Sequence, residues 1–466
     1  MTEPHRLDGL FCDRALLADG WASDVLLRFD GRGGIAAVEA GVSAPPAGAE
    51  RAAGPVIPGL PNLHSHAFQR AMAGLTEKAG PSEDSFWTWR EVMYGFVRRI
   101  DPETMQAVAA LAYAEMLEQG YTAVAEFHYL HHAADGRPYA DVAEMSKRIL
   151  AAAGEAGIGL THLPVLYAQG GFGGQPPGDG QKRFINDPDR ILAIVQACRD
   201  TPGDHRTGLA LHSLRAVTPE AMDAALAGLA ALDGTAPVHI HVAEQTAEVE
   251  GCLAWSGRRP VEWLLDRGVL TPSWCLIHAT HVTAEEVAGI AASGAVAGLC
   301  PTTEADLGDG LFPARDFLAQ GGRFGVGSDS QVIISAAEEL RLLEFGQRLT
   351  VRRRNWLAPG PGASTGAALY RAAVDGGARA LGLPVPAPGI AAGQRADLVV
   401  LDPEEPRLYG REDDELLDSY VFATSGRAVR DVVAGGRMVV REGRHVNADA
   451  IRTDWKRAID RLRAAA

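Results

Sequence analysis

The chain has two rhythms of apolar and polar positions. Through its middle, short apolar runs recur, separated by longer stretches with helical spacing. Eight runs stand out: "VIPGLPNLHSH", "TAVAEFHYL", "GIGLTHLPVL", "TGLALHSL", "APVHIHVAE", "CLIHAT", "AVAGLCPTTE" and "RFGVGSDS". Runs of this length bounded by turn residues predict buried strands. The stretches between them predict helices and carry start and stop signals. "DPETMQAVAALAYAEMLEQG" opens on Asp101 as N-cap, with Pro102 in the first turn and Glu103 near the positive dipole end, and stops at Gly120. "TPEAMDAALAGLAAL" repeats the Thr-Pro-Glu opening. Eight strand–helix units predict an α/β fold, a closed parallel (β/α)8 barrel of the TIM type over residues 58–382.

The two ends read differently. "DVLLRFDGRGGIAAVEAG" is strand, Gly-rich turn, strand, and "ADLVVLD" and "DVVAGGRMVVREGRHV" repeat that pattern near the other terminus. Residues 1–57 and 383–450 are therefore expected to pair into one small β-sandwich domain beside the barrel. Residues 451–466 predict a C-terminal helix. One connection, "GGFGGQPPGDGQKRFINDPDR" after the third strand run, has neither period. A loop this long is usually functional or mobile, which makes residues 170–190 a candidate lid. No strand–turn–helix fingerprint surrounds its glycines, so they do not form a phosphate cradle.

Composition narrows the partners. Among 466 residues, 44 Lys and Arg face 59 Asp and Glu, a formal charge of −15. That balance argues against nucleic acid or an anionic membrane as the main partner, yet leaves room for a small acidic substrate held by local arginines. The five cysteines are scattered without a C-x-x-C, as expected of free thiols in a reduced compartment. The first residues lack a basic-then-apolar signal pattern, and no apolar run reaches membrane-spanning length. The expectation is a soluble cytoplasmic protein.

Active sites of closed parallel barrels lie at the C-terminal strand ends, and the polar residues fall there. His64 and His66 close the first run, and alternation lets both imidazoles reach one point. His241 and Glu244 end the fifth, His278 the sixth, and Asp329 the eighth. Each piece alone carries little weight, since most H-x-H and G-S-D-S sequences are structural. Gathered on four strands of one barrel, histidines and a carboxylate suit a borderline cation such as Zn²⁺ with one position left for water. His239, two residues before His241, is expected to be a hydrogen-bonded interior histidine one layer deeper. His131, His132 and His205 are expected in surface loops, and Arg352 to Arg354 at a solvated helix end.

This pattern of H-x-H after strand one, His on strands five and six and Asp on strand eight resembles the amidohydrolase superfamily. Members with two metals bridge them with a modified lysine on strand four; "TGLALHSL" has none, which favours one metal. More narrowly, "LHSHAFQRAMAG", "FWTWRE", "EFHYLHH", "LHSLRAV", "HIHVAEQ" and "GSDS" are similar to the formimidoylglutamate deiminase family of histidine degradation. The resemblance implies zinc-dependent hydrolysis of N-formimidoyl-L-glutamate to N-formyl-L-glutamate and ammonia, in a homodimer. It implies zinc ligation by His64, His66, His241 and Asp329, with Fe²⁺ or Mn²⁺ as alternative occupants. It implies acid/base roles for Glu244, His278 and Asp329, and substrate contacts from Gln69, Arg90, Tyr129, His212 and Arg215.

These residue types suit that chemistry. A zinc-activated water has a pKa near ~7 and can attack the formamidine carbon. Glu244, three residues after a ligand, can pass a proton to the substrate nitrogen. An arginine fork suits a carboxylate. Two other readings stand beside this one. One is a deaminase or chlorohydrolase of the same superfamily acting on a purine, pyrimidine or triazine ring. The other is a catalytically silent barrel, which would be expected to lack Glu244 or a ligand.

Overall fold

The computed structural model describes residues 4–46, 48–79, 86–384, 387–425 and 428–464, with no side chains at 86 and 87. The remaining parts of the predicted 1–57, 383–450 and 451–466 segments, and the first two side chains of "FWTWRE", lie outside the described residues.

Eight parallel strands close on themselves: β1 (Leu60–Ser65), β2 (Tyr121–His128), β3 (Gly159–Leu166), β4 (Leu209–Leu211), β5 (Val238–Val242), β6 (Trp274–His278), β7 (Val296–Leu299) and β8 (Arg323–Val326). β8 returns to β1 through Val326 opposite Asn62. β2 and β3 are buried along their whole length, as expected of parallel strands covered on both faces. Helices form where the capping signals place them. The Asp101 side chain accepts from Thr104 N to open α2 (Pro102–Glu118), and Thr218 accepts from Ala221 N to open Pro219–Leu232.

The first apolar run serves two sheets. Val56–Pro58 pairs antiparallel with Leu398–Val400, and after Gly59 the chain enters the barrel as β1. A Cβ at Gly59 would meet Thr122 Oγ1 at 2.2 Å, so only glycine fits this crossing. The other strands of both ends join Val56–Pro58 in one ten-stranded sheet. It curls over its own core of Leu10, Val25, Leu27, Leu398 and Val433. The C-terminal helix, Ala448–Ala464, packs against α2.

Two expectations are corrected. "CPTTE" does not continue the seventh strand: Pro301 opens a short helix, Pro301–Leu307, because proline presets the first helical turn and has no amide hydrogen for a ladder. His131 and His132 are not on the surface. They are 1% and 3% exposed, and their ring nitrogens lie against Val165 O and Ile185 O at 3.1 and 2.9 Å. His205 is half-buried on the short strand His205–Thr207, with Nε2 2.9 Å from Cys198 O. His239 is buried, with Nε2 2.8 Å from Ala380 O. Arg352, Arg353 and Arg354 are exposed beyond the helix Ala336–Val351. In the 170–190 connection the tip is exposed, but Gln181, Arg183, Phe184 and Asn186 are buried.

Candidate active site

At the C-terminal rim of the barrel, backbone conformation and side-chain chemistry coincide. Ala243, His278, Ala279, Asp329 and Gln331 all have positive φ, between 46° and 69°. Non-glycine residues enter this region at a cost, and they do so most often at functional sites. The turns at the strand ends aim His241, His278 and Asp329 at the end of β1. There His64 Nε2 and His66 Nε2 each lie 3.4 Å from Asp329 Oδ1. His241 Nε2 lies 3.0 Å from His64 Nε2. Phe127 from β2 packs under three of these rings.

Carbonyls outside the cluster set two of the tautomers. His66 Nδ1 is 2.9 Å from Phe127 O, and His241 Nδ1 is 3.0 Å from His212 O. Each ring must donate there, which leaves its Nε2 as a lone pair facing the others. His64 is left as the one ring of the three that can place a hydrogen among these atoms, so crowded lone pairs and a carboxylate repel one another, and a cation removes that repulsion. Tetrahedral ligands at ~2.0–2.1 Å from Zn²⁺ sit roughly 3.3–3.4 Å apart, close to the separations from Asp329. The donor set therefore fits a divalent metal. His64, His66 and Asp329 form one buried group able to hold an ion, and His64, His241 and His278 another.

The electrostatics follow from crowding. Burial alone would raise Asp329, but His64, His66 and His278 outweigh it and hold its carboxyl well below the usual range. Burial lowers His64 to about 3 against the pull of Asp329. Burial also opposes charge on His278, yet Glu244, Glu304 and Asp329 raise it to about 10. Burial raises Glu244, with His278 and Arg215 pulling it back. His278 Nε2 stands 3.8 Å from Glu244 Oε1 and 3.6 Å from Asp329 Oδ2, so a molecule above the cluster meets an acid, an imidazole and a carboxylate together.

All five residues proposed to contact substrate line one cleft of about 590 Å³ with this cluster. Gln69 is on a 3-10 turn, Ala67–Met72, and its Nε2 donates to Tyr129 Oη at 3.0 Å. Arg90 comes from α1 (Phe86–Val97), its guanidinium 5.6 Å from the centre of the Tyr94 ring. His212 and Arg215 follow β4, and the His212 ring packs against Tyr167 at 4.4 Å. Sequence reasoning missed Trp89, Tyr94, Tyr167 and Phe184 in the wall. It also missed Glu304, whose Oε1 accepts from Cys300 N at 2.8 Å and faces His278 Nδ1 at 3.3 Å. The signal for Glu304 was Pro301, which marks a helix start after the seventh strand.

A family model described as "Amidohydrolase family" matches residues 56–439. The chain is 54% identical over 445 residues to the formimidoylglutamate deiminase of Pseudomonas aeruginosa strain PAO1, covering 95% of this chain and 97% of that one. A solved amidohydrolase from Brucella melitensis superposes with a TM-score of 0.91 at 51% identity, covering 97% and 99% of the two chains. An adenosine deaminase from Xanthomonas campestris, solved with bound zinc, shares the fold at 22% identity and a TM-score of 0.78, covering 99% and 100%. With its barrel, its rim of imidazoles and carboxylates, and these matches along almost its full length, the chain belongs to the amidohydrolase family.

Proposed function

We propose that the chain hydrolyses N-formimidoyl-L-glutamate to N-formyl-L-glutamate and ammonia, a step of histidine degradation. The observation that carries this reading is the 54% identity, across 95% of the chain, to a formimidoylglutamate deiminase. The cleft supports it, because Arg90 and Arg215 share it with the metal cluster. A substrate with two carboxylates uses both guanidiniums; an uncharged purine or triazine ring uses neither.

His64, His66, His241 and Asp329 would hold one divalent cation, proposed to be zinc, with Fe²⁺ or Mn²⁺ able to fill the same donors. When bound, such an ion supplies Lewis acidity and an acidified water. Asp329, ionised, accepts the proton that water gives up as its oxygen bonds to the formamidine carbon. Glu244, buried with a raised pKa, holds a proton and passes it to the terminal imino nitrogen. His278, with Nδ1 facing Glu304, donates a hydrogen bond from Nε2 to the oxygen on the tetrahedral carbon. Asp329 then passes the proton it took from water to the same terminal nitrogen, the hydroxyl on the carbon returns its proton to Glu244, and the carbon–nitrogen bond breaks, so that ammonia leaves and the formyl group remains. Arg90, Arg215, Gln69, Tyr129 and His212 orient the glutamate portion away from this centre.

The same reading places the enzyme in the cytoplasm as a homodimer. No helix among the described residues is long and apolar enough to cross a membrane, and all five cysteines are free and buried. Sedimentation equilibrium tests the dimer. Ammonia release from N-formimidoyl-L-glutamate, beside N-formimidoyl-L-aspartate and guanine, tests the substrate. Turnover of the first well above the other two is expected; turnover of guanine instead would overturn the proposal.

A further inference from the structure

Helix α1 roofs the cleft. It contributes Trp89, Arg90, Met93 and Tyr94 to the lining, yet it belongs to no barrel strand. Its C-terminal end meets Arg183, the largest of the fully buried side chains among the described residues, which is 1% exposed. The guanidinium faces three backbone carbonyls from two segments. Nη1 donates to Val97 O, the last residue of α1, and Nη2 donates to Ile100 O at 2.9 Å, just before the cap of α2. Nε donates to His132 O at 2.8 Å, in the loop after β2. The carbonyl of Arg183 accepts in return from the amides of His131 and His132, both at 3.1 Å.

No described carboxylate pairs with this guanidinium within ion-pair distance. A buried cation is costly unless its donors are used; the Tyr139 side chain bonds this one beside the three carbonyls, and a helix C-terminus offers the unused carbonyls that suit it. The neighbour of Arg183, Phe184, forms part of the cleft wall, with its ring 5.0 Å from Tyr129 and 6.1 Å from Tyr94. Three residues before Arg183, Gly180 lies under the Tyr94 ring, where a Cβ would meet Cδ2 at 2.5 Å. The 170–190 connection thus holds α1 by its end and by its face.

We propose that Arg183 is a positioning residue for substrate recognition. Clamping the carbonyl end of α1 to the connections after β2 and β3 fixes where Arg90 stands in the cleft. This inference rests on the functional reading above only for the identity of the carboxylate ligand. Lysine cannot replace the clamp, because a single ammonium on a flexible stem does not bridge three fixed acceptors in one plane.

The test uses the full chain with Arg183→Met, Arg183→Lys, Arg90→Met and the Arg183→Met/Arg90→Met double variant. With N-formimidoyl-L-glutamate, both Arg183 variants are expected to raise KM ~10-fold or more while kcat stays within ~3-fold. The double variant should be little worse than Arg90→Met alone, since both changes remove one interaction. Hydrogen exchange across residues 86–100 should quicken in the Arg183 variants without any substrate, so the clamp is tested even if the substrate is another molecule. If Arg183→Met does not fold, Arg183→Lys carries both readouts. Unchanged exchange, a wild-type KM in Arg183→Lys, or full additivity with Arg90→Met would overturn the assignment.

Discussion

Two groups of buried histidines flank the barrel and do different things. His64, His66, His241 and His278 stand at the rim, among Asp329, Glu244 and Glu304. His128, His131, His132 and His162 lie on or after β2 and β3, and burial holds all four below the usual imidazole range. His131 and His132 meet backbone carbonyls, while both ring nitrogens of His162 have no hydrogen-bond partner among the described residues. Burial alone does not mark a functional imidazole, since both groups are buried. The mark is the convergence of lone pairs on a carboxylate, and only the rim group has it.

Breaking the rim should cost most. His241→Ala should lose the metal by elemental analysis and lower kcat/KM by on the order of 10³–10⁴-fold. Retained stoichiometric metal with full activity would dissolve the distinction between the groups. Glu244→Gln comes next: kcat falls roughly 10²–10⁴-fold, while the metal stays and melting changes little. Elemental analysis of the wild type should give one divalent ion per chain, because β4 offers no lysine for a second; two stoichiometric ions would contradict this.

Changes in the other group should be small. His162→Leu removes two buried nitrogens without partners and fills a similar volume. It should leave kcat/KM within ~3-fold and stability within about 1 kcal/mol, with a gain more expected than a loss. A loss of several kcal/mol, read by denaturant titration, would mean those nitrogens do bond. The smallest effect lies outside both groups. Burial would raise Asp233, but Thr235 and Arg199 outweigh it and hold the carboxyl at about 2. Its folded pKa is thus below the unfolded ~3.9. Its contribution is present above about pH 4 and fades as pH falls through 2. For this partly screened group it is on the order of 1 kcal/mol, measured as the loss of that increment in Asp233→Asn.

Sequence carried the barrel because the strands read as mostly apolar runs between turn residues, and several of them carry histidines or carboxylates at or just past their ends, which are the rim. It carried His241 against His239 because one lies at the strand end and the other deeper. It did not carry the roof. Trp89 and Tyr94 belong to a helix outside the strand–helix rhythm, and their place depends on contact with a distant connection. His131 and His132 were misplaced because their partners, Val165 O and Ile185 O, are backbone atoms of another segment. Glu304 was hidden because the apolar run before it was read through the proline that ends it.

The hand-over at Gly59 has a consequence for dissecting the molecule. Leu398–Val400 zips onto Val56–Pro58, a short step ahead of His64 along the same extended backbone. The curled sheet is thus the splint of the strand that presents the first two imidazoles, rather than an appendage. Cutting the chain after residue 382 would leave that splint behind, and a polypeptide so shortened should fail to hold its ion even with every ligand retained.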